Sequence, residues 1–324
     1  MCKLFVSIII PTYNRAHSIK YTLDSFLQQN YPEDKFEIIV CDNNSTDNVK
    51  EVVLDYVEKY SEKKVRYMFE GRQGAHYARN SAAKTARGDI LYFTDDDMLA
   101  EPDLLKNLIP IFERNDKIGC ATGKVLPKWE VSPPKWISKF CINYLLSLND
   151  LGRRIIIGAY DMGVFSCHEA IRRETFFETG GFHPDYIRDV CLGDGETGLN
   201  QDILKNKWKM AYVGKSVIYH MIPPKRMTQK HINKVMANAG NTISYGEYRK
   251  KTFDKKNLFF RYKGYFKAYL KDCKDIIAKT LLGESTLRFV VAKWHYYKAR
   301  AVYDYHIVHD KRFREVVIKN NWLE

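Results

Sequence analysis

Runs of consecutive β-branched and apolar residues alternate along this chain with stretches whose apolar positions recur every three or four residues. The first pattern reads as strands buried on both faces, the second as helices with one apolar side. Leu4 to Ile10 therefore predicts a strand, Ser18 to Gln29 a helix, Phe36 to Cys41 a strand, and Asp47 to Tyr60 a helix that turns Val52, Val53, Tyr56 and Val57 inward. The alternation continues with a strand at Val65 to Phe69, an Ala-rich helix at Ala75 to Ala86, and a strand at Asp89 to Thr94 that runs into Asp95-Asp96-Asp97. Pro102 falls where the first residue of the next helix is expected.

Such alternation implies an α/β fold with a doubly wound, mostly parallel sheet. Right-handed crossovers bring the carboxyl ends of the strands to one edge, where open sheets bind ligands. Three polar clusters fall on that edge: Thr12-Tyr13-Asn14-Arg15, Asp42-Asn43-Asn44-Ser45 and Asp95-Asp96-Asp97. Turn chemistry alone accounts for Asn43, Asn44 and Ser45. After Gly119 the pattern loosens into strand-like pieces at Cys120 to Leu126 and Gly163 to Cys167, a helix at Thr197 to Asn206, a strand at Lys209 to Val213, and a further apolar run ending at His220.

The last hundred residues change character. From Lys225 to Glu324 there are 23 Lys and Arg against 9 Asp and Glu, an excess of 14, whereas the whole chain carries +13. All of the basic excess is therefore C-terminal, which suggests a catalytic unit at 1–224 followed by a basic helical extension at 225–324 that meets something anionic. Phe259, Tyr262, Phe266, Tyr269, Leu270, Cys273, Ile277 and Leu281 recur at helical spacing, with Lys263, Lys267, Lys271 and Lys274 elsewhere on the wheel; a second helix is expected from Thr286 to about Ile307. Either both helices dock on the catalytic unit and turn a basic face to water, or their basic, aromatic face lies on an anionic membrane surface. No motif that reads nucleic acid accompanies the charge.

With 324 residues, 45% of them hydrophobic, the chain can bury a large core. Seven Cys without a CxxC pair suit a reducing compartment, and no run approaches the roughly 20 apolar residues of a membrane span. A cytoplasmic protein, soluble or resting on the inner face of the cell membrane, is expected.

Three adjacent carboxylates repel one another unless a cation intervenes. Asp95-Asp96-Asp97 thus calls for a divalent metal, and hard oxygen ligands suit Mg2+ or Mn2+ shared with a diphosphate. A helix N-terminus would explain one or two of the three acids instead. Gly193-Asp194-Gly195-Glu196-Thr197-Gly198 fits the letters G-x-G-x-x-G, but two carboxylates stand where pyrophosphate would lie, and Val213 and Gly214 occupy the place of the ribose-binding acid. An oxidoreductase is excluded on those grounds.

The runs Val6-Ser7-Ile8-Ile9-Ile10-Pro11-Thr12-Tyr13-Asn14-Arg15, Cys41-Asp42-Asn43-Asn44-Ser45-Thr46-Asp47, Ala78-Arg79-Asn80 and Gly88-Asp89-Ile90-Leu91-Tyr92-Phe93-Thr94-Asp95-Asp96-Asp97 together resemble the family 2 glycosyltransferases of the GT-A fold, in order and spacing, over roughly residues 3 to 225. The resemblance implies an inverting transferase that takes a sugar from a nucleotide-diphosphate donor, most often a UDP-sugar, and passes it to an acceptor hydroxyl, as in cell-surface polysaccharide or glycolipid assembly. It implies that Thr12 and Asp42 meet the nucleoside, that Arg79 lies near the base, that Asp95 faces ribose and metal with Asp96 between, and that Asp97 binds the metal. A Tyr-His pair at this place in the family commonly faces the diphosphate or completes the metal site, which here means His220, although a lone histidine is as often structural. Lys225 and Arg226 could close over the phosphates.

The family also places a catalytic acid after a Gly-Gly-Phe element, here Gly180-Gly181-Phe182. This chain departs from the usual adjacent acids, because Gly195 splits Asp194 from Glu196. With Leu199 kept in register, Glu196 takes the place of the base and Asp194 is the alternate; a plain N-cap for a helix starting at Thr197 is the structural explanation of the same residues. A base is needed because a hydroxyl is a poor nucleophile until its proton is leaving. Two rivals remain: a sugar nucleotidyltransferase, which would carry a Gly-rich loop after its first strand, and a carbohydrate-binding protein on an inactive version of the same scaffold.

Overall fold

The computed structural model describes residues 4–61, 64–141, 143–184, 186–187, 190–192, 195–250 and 257–323. Strand β1 (Val6–Thr12) leads through helix α1 (Ala16–Leu27) to β2 (Phe36–Asp42), then through α2 (Val49–Tyr60) to β3 (Val65–Phe69) and through α3 (Ala75–Thr85) to β4 (Ile90–Thr94). β1, β2 and β4 are buried along their whole length, which is why they read as unbroken apolar runs. Alternate side chains of β1 serve two cores. Ile8 and Ile10 pack with Ile19, Leu23, Phe26 and Val53 of α1 and α2, whereas Ile9 packs with Ala78, Ala82, Leu91 and Phe93 on the α3 side.

Beyond β4 come β5 (Met98–Ala100), the short helices α4 (Leu104–Leu108) and α5 (Pro110–Arg114), and the long β6 (Ile118–Trp129). The chain continues through α6 (Lys135–Phe140), β7 (Ile155–Gly158), β8 (His168–Arg172), α7 (Arg173–Glu178), β9 (Tyr186–Ile187), β10 (Val190–Cys191), α8 (Gly195–Lys205) and β11 (Lys209–Ile222). Among the described residues the main sheet has nine strands, ordered β3-β2-β1-β4-β8-β6-β11-β5, with β7 also paired to β11. β8 runs against β4 and β6, and β5 and β7 run against β11, while the other strand pairs are parallel. The sheet is thus mostly parallel, of the kind expected.

Local departures from the sequence pattern have local causes. Pro102 lies two residues before α4, and it is Pro110 that stands at the first turn of a helix. Gly163 to Cys167 is not a strand: the Asp161 carboxylate accepts from the amides of Gly163 and Val164, and Gly163 has φ +71°, so the chain turns before entering β8. The two runs Lys209 to Val213 and Val217 to His220 are one strand, β11, joined across an irregularity where its register on β6 shifts. Helix α8 begins at Gly195 rather than Thr197, so Glu196 stands inside its first turn and is not its cap.

A helical extension follows: α9 (Gln229–Arg249), α10 (Leu258–Leu281), α11 (Arg288–His309) and α12 (Lys311–Ile318). Helix α9 has no counterpart among the helices expected from the apolar pattern, although its buried Ile232, Met236 and Tyr245 join the apolar clusters that include Ala292, Tyr303 and Ile307 of α11. Gly240 and Ser244 are buried against α11, and a Cβ at Gly240 would stand 2.3 Å from the Tyr296 carbonyl oxygen. Helix α10 spans the residues its spacing predicts, but Ile276 is its one buried side chain. Polar contacts attach it instead. Arg261 Nε and the Tyr265 hydroxyl both donate to Asp304 Oδ2 of α11, at 2.8 and 2.6 Å, and Tyr297 donates to Asp272. Phe259, Phe260, Phe266, Leu281 and Leu282 stay exposed, so the apolar face expected to dock is largely uncovered. Among the described residues no helix is long and apolar enough to cross a membrane.

Candidate active site

The carboxyl ends of β1, β2 and β4 open into a cleft of about 680 Å³ lined by Thr12, Tyr13, Arg15, Asn43, His76, Arg79, the three acids Asp95 to Asp97, and Arg226. Two loop-to-loop ties shape its rim. Asn14, at φ +53°, accepts through Oδ1 from Thr46 N and donates its own amide to Ser45, which locks the loop after β1 to the loop after β2. Asn43 is buried and holds the segment before α3 by donating to the Glu70 and Arg72 carbonyls and accepting from Gly74 N.

The three acids play different parts. Asp95 is reached by Arg79 Nη2 at 2.8 Å, with the Arg79 guanidinium also over the Phe182 ring. Asp96 is buried and accepts from Thr12 Oγ1 at 2.7 Å; burial, then the neighbouring Asp97 charge, pushes its carboxyl up to about 7. Thr12 therefore spends its hydroxyl on Asp96. Asp97 is buried as well, faces His220 Nε2 at 3.8 Å and Arg15 at 3.7 Å, and accepts from Arg226 Nη2 at 3.0 Å. Its carbonyl accepts from Met221 N, which fixes the acid loop to β11.

Glu196 is half-buried in the first turn of α8. The Cys167 thiol, pushed well up chiefly by burial, also feels the charges of Asp95, Glu196 and Asp97, so Glu196 lies within electrostatic reach of the acid triplet. The wholly buried Glu169 has its carboxyl driven well up, first by burial and then by the charge of Glu196. Asp194 lies outside the described residues. Asp42 is not on the wall of the main cleft. It accepts from Ser45 N and the Tyr67 hydroxyl, both at 2.9 Å, and faces a neighbouring recess of about 540 Å³ with Lys50, Tyr67 and Phe69.

Residues 7–181 match the family model described as Glycosyl transferase family 2. The chain belongs to that family. Among curated relatives of this family 2 chain, glycosyltransferase AglE of Haloferax volcanii is 39% identical over 93 residues, covering 29% of this chain and 30% of that protein. The UDP-Glc:alpha-D-GlcNAc-diphosphoundecaprenol beta-1,3-glucosyltransferase WfgD of Escherichia coli is 35% identical over 112 residues, 34% of this chain and 42% of that one. The chain thus spans well under half the length of these relatives. In fold it is similar to the mannosyltransferase PcManGT of Pyrobaculum calidifontis, solved with GDP-Man and Mn2+, at TM-score 0.55 and 18% identity over 97% of this chain and 79% of that one. GalNAc-T7, solved with UDP, GalNAc and Mn2+, gives 0.53 at 16% identity, over 76% and 50% of the two chains. The fold is of the GT-A type.

A divalent metal implied by the family fits the residues present. His220 Nδ1 donates to the Leu146 carbonyl at 2.9 Å, which leaves the Nε2 lone pair facing Asp97. That is the tautomer a ligand needs, and burial keeps the ring neutral by lowering its pKa. A carboxylate with an imidazole suits a first-row divalent ion. Among the described residues no three His, Cys, Asp or Glu side chains converge as a ready ligand set, so any further donors would come from water and the substrate. Arg15 and Asn43 stand in the polar clusters expected on that edge, though without a role of their own, and nothing in the sequence pattern marks His76 as a cleft residue.

Proposed function

We propose that this chain transfers a sugar, with inversion, from a nucleoside diphosphate donor to a hydroxyl of a saccharide or lipid-linked saccharide. The observation that carries the reading is the meeting of Arg15, Arg79 and Arg226 with three carboxylates in one cleft at the carboxyl edge of a family 2 sheet. Such a mixture suits an anionic nucleotide better than a neutral sugar alone. A lipid-linked acceptor is supported by WfgD, whose name gives a diphosphoundecaprenol-linked sugar as its acceptor. Cell-surface polysaccharide or glycolipid assembly at the inner face of the membrane is the matching setting.

In this reading residues 1–224 carry the chemistry. Arg79 and Asp95 bind at the nucleoside end, with Thr12 and Asp96 holding the floor. Glu196 takes the acceptor proton as the hydroxyl oxygen attacks the anomeric carbon; the bond from that carbon to the diphosphate breaks, and the nucleoside diphosphate leaves with the electron pair. Asp97 and His220 would hold Mg2+ or Mn2+ with the remaining donors from water and the substrate, and the ion would neutralise charge on the leaving diphosphate. Residues 225–324 bring the site to its acceptor. The exposed Phe259, Phe260, Phe266 and Leu281 lie on the same helix as exposed Lys263, Lys267, Lys271 and Lys274, a combination that suits an anionic bilayer surface.

Incubation with a panel of UDP-, GDP- and dTDP-sugars and Mn2+, read as donor hydrolysis, tests the reading. Turnover of one donor is expected, and Glu196→Gln should lose transfer by about a hundredfold or more while nucleotide affinity is kept. No turnover together with no nucleotide binding would refute it.

A further inference from the structure

The guanidinium of Arg226 bridges the two groups that best fit a metal. Nη1 donates to His220 Nε2, and Nη2 donates to Asp97 Oδ2 at 3.0 Å. Because Arg is always a donor, this contact and the Nδ1 bond to Leu146 require the same histidine tautomer. The arginine sits on a single turn, Pro224–Met227, directly after β11 and next to Pro223, whose carbonyl accepts from Arg226 N. Met227 is buried and anchors the far side of that turn, whereas the Arg226 side chain itself is about a quarter exposed. A long side chain on a short, one-sidedly anchored turn can swing while its backbone stays.

The single Nε2 lone pair of His220 cannot serve a guanidinium and a divalent ion together, and the two cations would repel strongly at that range. We propose that Arg226 is a resident cation that closes the metal seat in the donor-free protein and gives it up only when a nucleoside diphosphate arrives to receive the guanidinium. This rests on reading the cleft as the donor site of a metal-using transferase, and deepens it into a rule about order. Arg226 lines the same cleft as Arg15 and Arg79, so once displaced it has the incoming diphosphate as a partner. Metal and donor then bind with positive coupling, because each removes a competitor or supplies a partner for the other. The device keeps Asp97 and His220 neutralised between turnovers, and it discourages metal capture without substrate.

The consequence is measurable without turnover. A bidentate, charge-assisted contact of this kind lowers the fraction of protein able to take metal, and apparent metal affinity falls by that fraction, here by about tenfold. Mn2+ binding to the full chain is followed by the electron paramagnetic resonance signal of free Mn2+, with and without UDP or GDP, for the parent, Arg226→Met and Arg226→Lys. Methionine keeps the unbranched bulk and removes the charge; lysine keeps a charge but cannot bridge two acceptors. In the parent, nucleotide should tighten Mn2+ by about tenfold or more. In Arg226→Met, nucleotide-free Mn2+ affinity should rise by about tenfold and the coupling shrink to about threefold or less, with Arg226→Lys between the two.

Equal or weaker nucleotide-free Mn2+ binding in Arg226→Met overturns the proposal while leaving the metal site standing. Absence of Mn2+ binding in the parent even with nucleotide overturns the metal reading itself, and the proposal with it. If Arg226→Met does not fold, Arg226→Lys carries the same comparison.

Discussion

Asn80 is the residue at which the acid cleft, the Gly-Gly-Phe element and the far end of the chain are joined. It is buried beside Arg79 on α3, donates through Nδ2 to the Phe182 carbonyl at 2.9 Å and the Trp322 carbonyl at 3.2 Å, and accepts through Oδ1 from Phe182 N at 2.9 Å. Asn80→Asp is nearly isosteric. It keeps the acceptor for Phe182 N but turns the shared donor into an oxygen that faces two carbonyls. Each buried hydrogen-bond group left unpaired costs about 1–3 kcal/mol, so two reversed contacts cost roughly 2–6 kcal/mol before the desolvation of a buried carboxylate is added. Asn80→Ala leaves the two carbonyls and also the Phe182 amide unpaired, at roughly 3 kcal/mol or more, but it buries no charge and adds no repulsion. The measurement is urea unfolding of parent and both variants by tryptophan fluorescence, with nucleotide binding of the folded variants by calorimetry. The order expected is parent, then Asn80→Ala, then Asn80→Asp. An Asn80→Asp variant within about 0.5 kcal/mol of the parent would show that these contacts contribute little, and would sink the argument.

Acid should weaken the fold from near neutrality. The buried rings of His76 and His168 have their pKa values lowered from 6.5, to about 3 and about 4, chiefly by burial and, for His76, by Arg79 and Arg72. The folded state thus binds fewer protons than the unfolded one, and their contribution is present above pH 6.5 and lost as pH falls toward 4. Between pH 7.5 and 5.5 each should cost roughly 1.4 kcal/mol, and His76→Gln should remove one share of that slope; an unchanged slope would contradict it. Asp304→Asn breaks the buried pair with Arg261 and should lower amide protection in α10 while β1 and β2 keep theirs, in hydrogen exchange; uniform loss across the chain would show that α10 is not separately held. Vesicle flotation should follow anionic lipid and fall when Phe259, Phe260 and Phe266 are replaced by Ser, and partitioning unaltered by that triple change would remove the membrane role.

The front half of the sheet was legible because β1, β2 and β4 are buried on both faces and α1 and α2 each present one apolar stripe, so length and period suffice. Val65–Phe69 and Leu258–Leu281 coincide with the ranges their spacing predicts. Helix α9 was missed although Ile232 and Met236 keep helical spacing, because Gly240 and Ser244 interrupt the apolar signal before Tyr245. The polar clusters were placed on the correct edge by topology alone. What topology could not supply was the choice of partner: Thr12 turns to Asp96, Asp42 to Tyr67, and Arg226 crosses 129 positions to reach Asp97. Such choices depend on distances of a few ångströms between loops, which the order of residue types does not encode.

The tie from Asn80 to Trp322 spans 242 positions, and the same stretch of chain donates Trp322 N to the Gly180 carbonyl. On a ribosome the acid triplet emerges about 225 residues, and the Gly-Gly-Phe turn about 140 residues, before the segment that latches them, a delay of roughly 7–45 s at ordinary elongation rates. During that interval the nucleotide-binding strands can pair and Asn80 can bond Phe182, but the wall beneath Arg79 lacks the fastening that Trp322 supplies. Completion of the site therefore waits for a segment made long after the acids it supports.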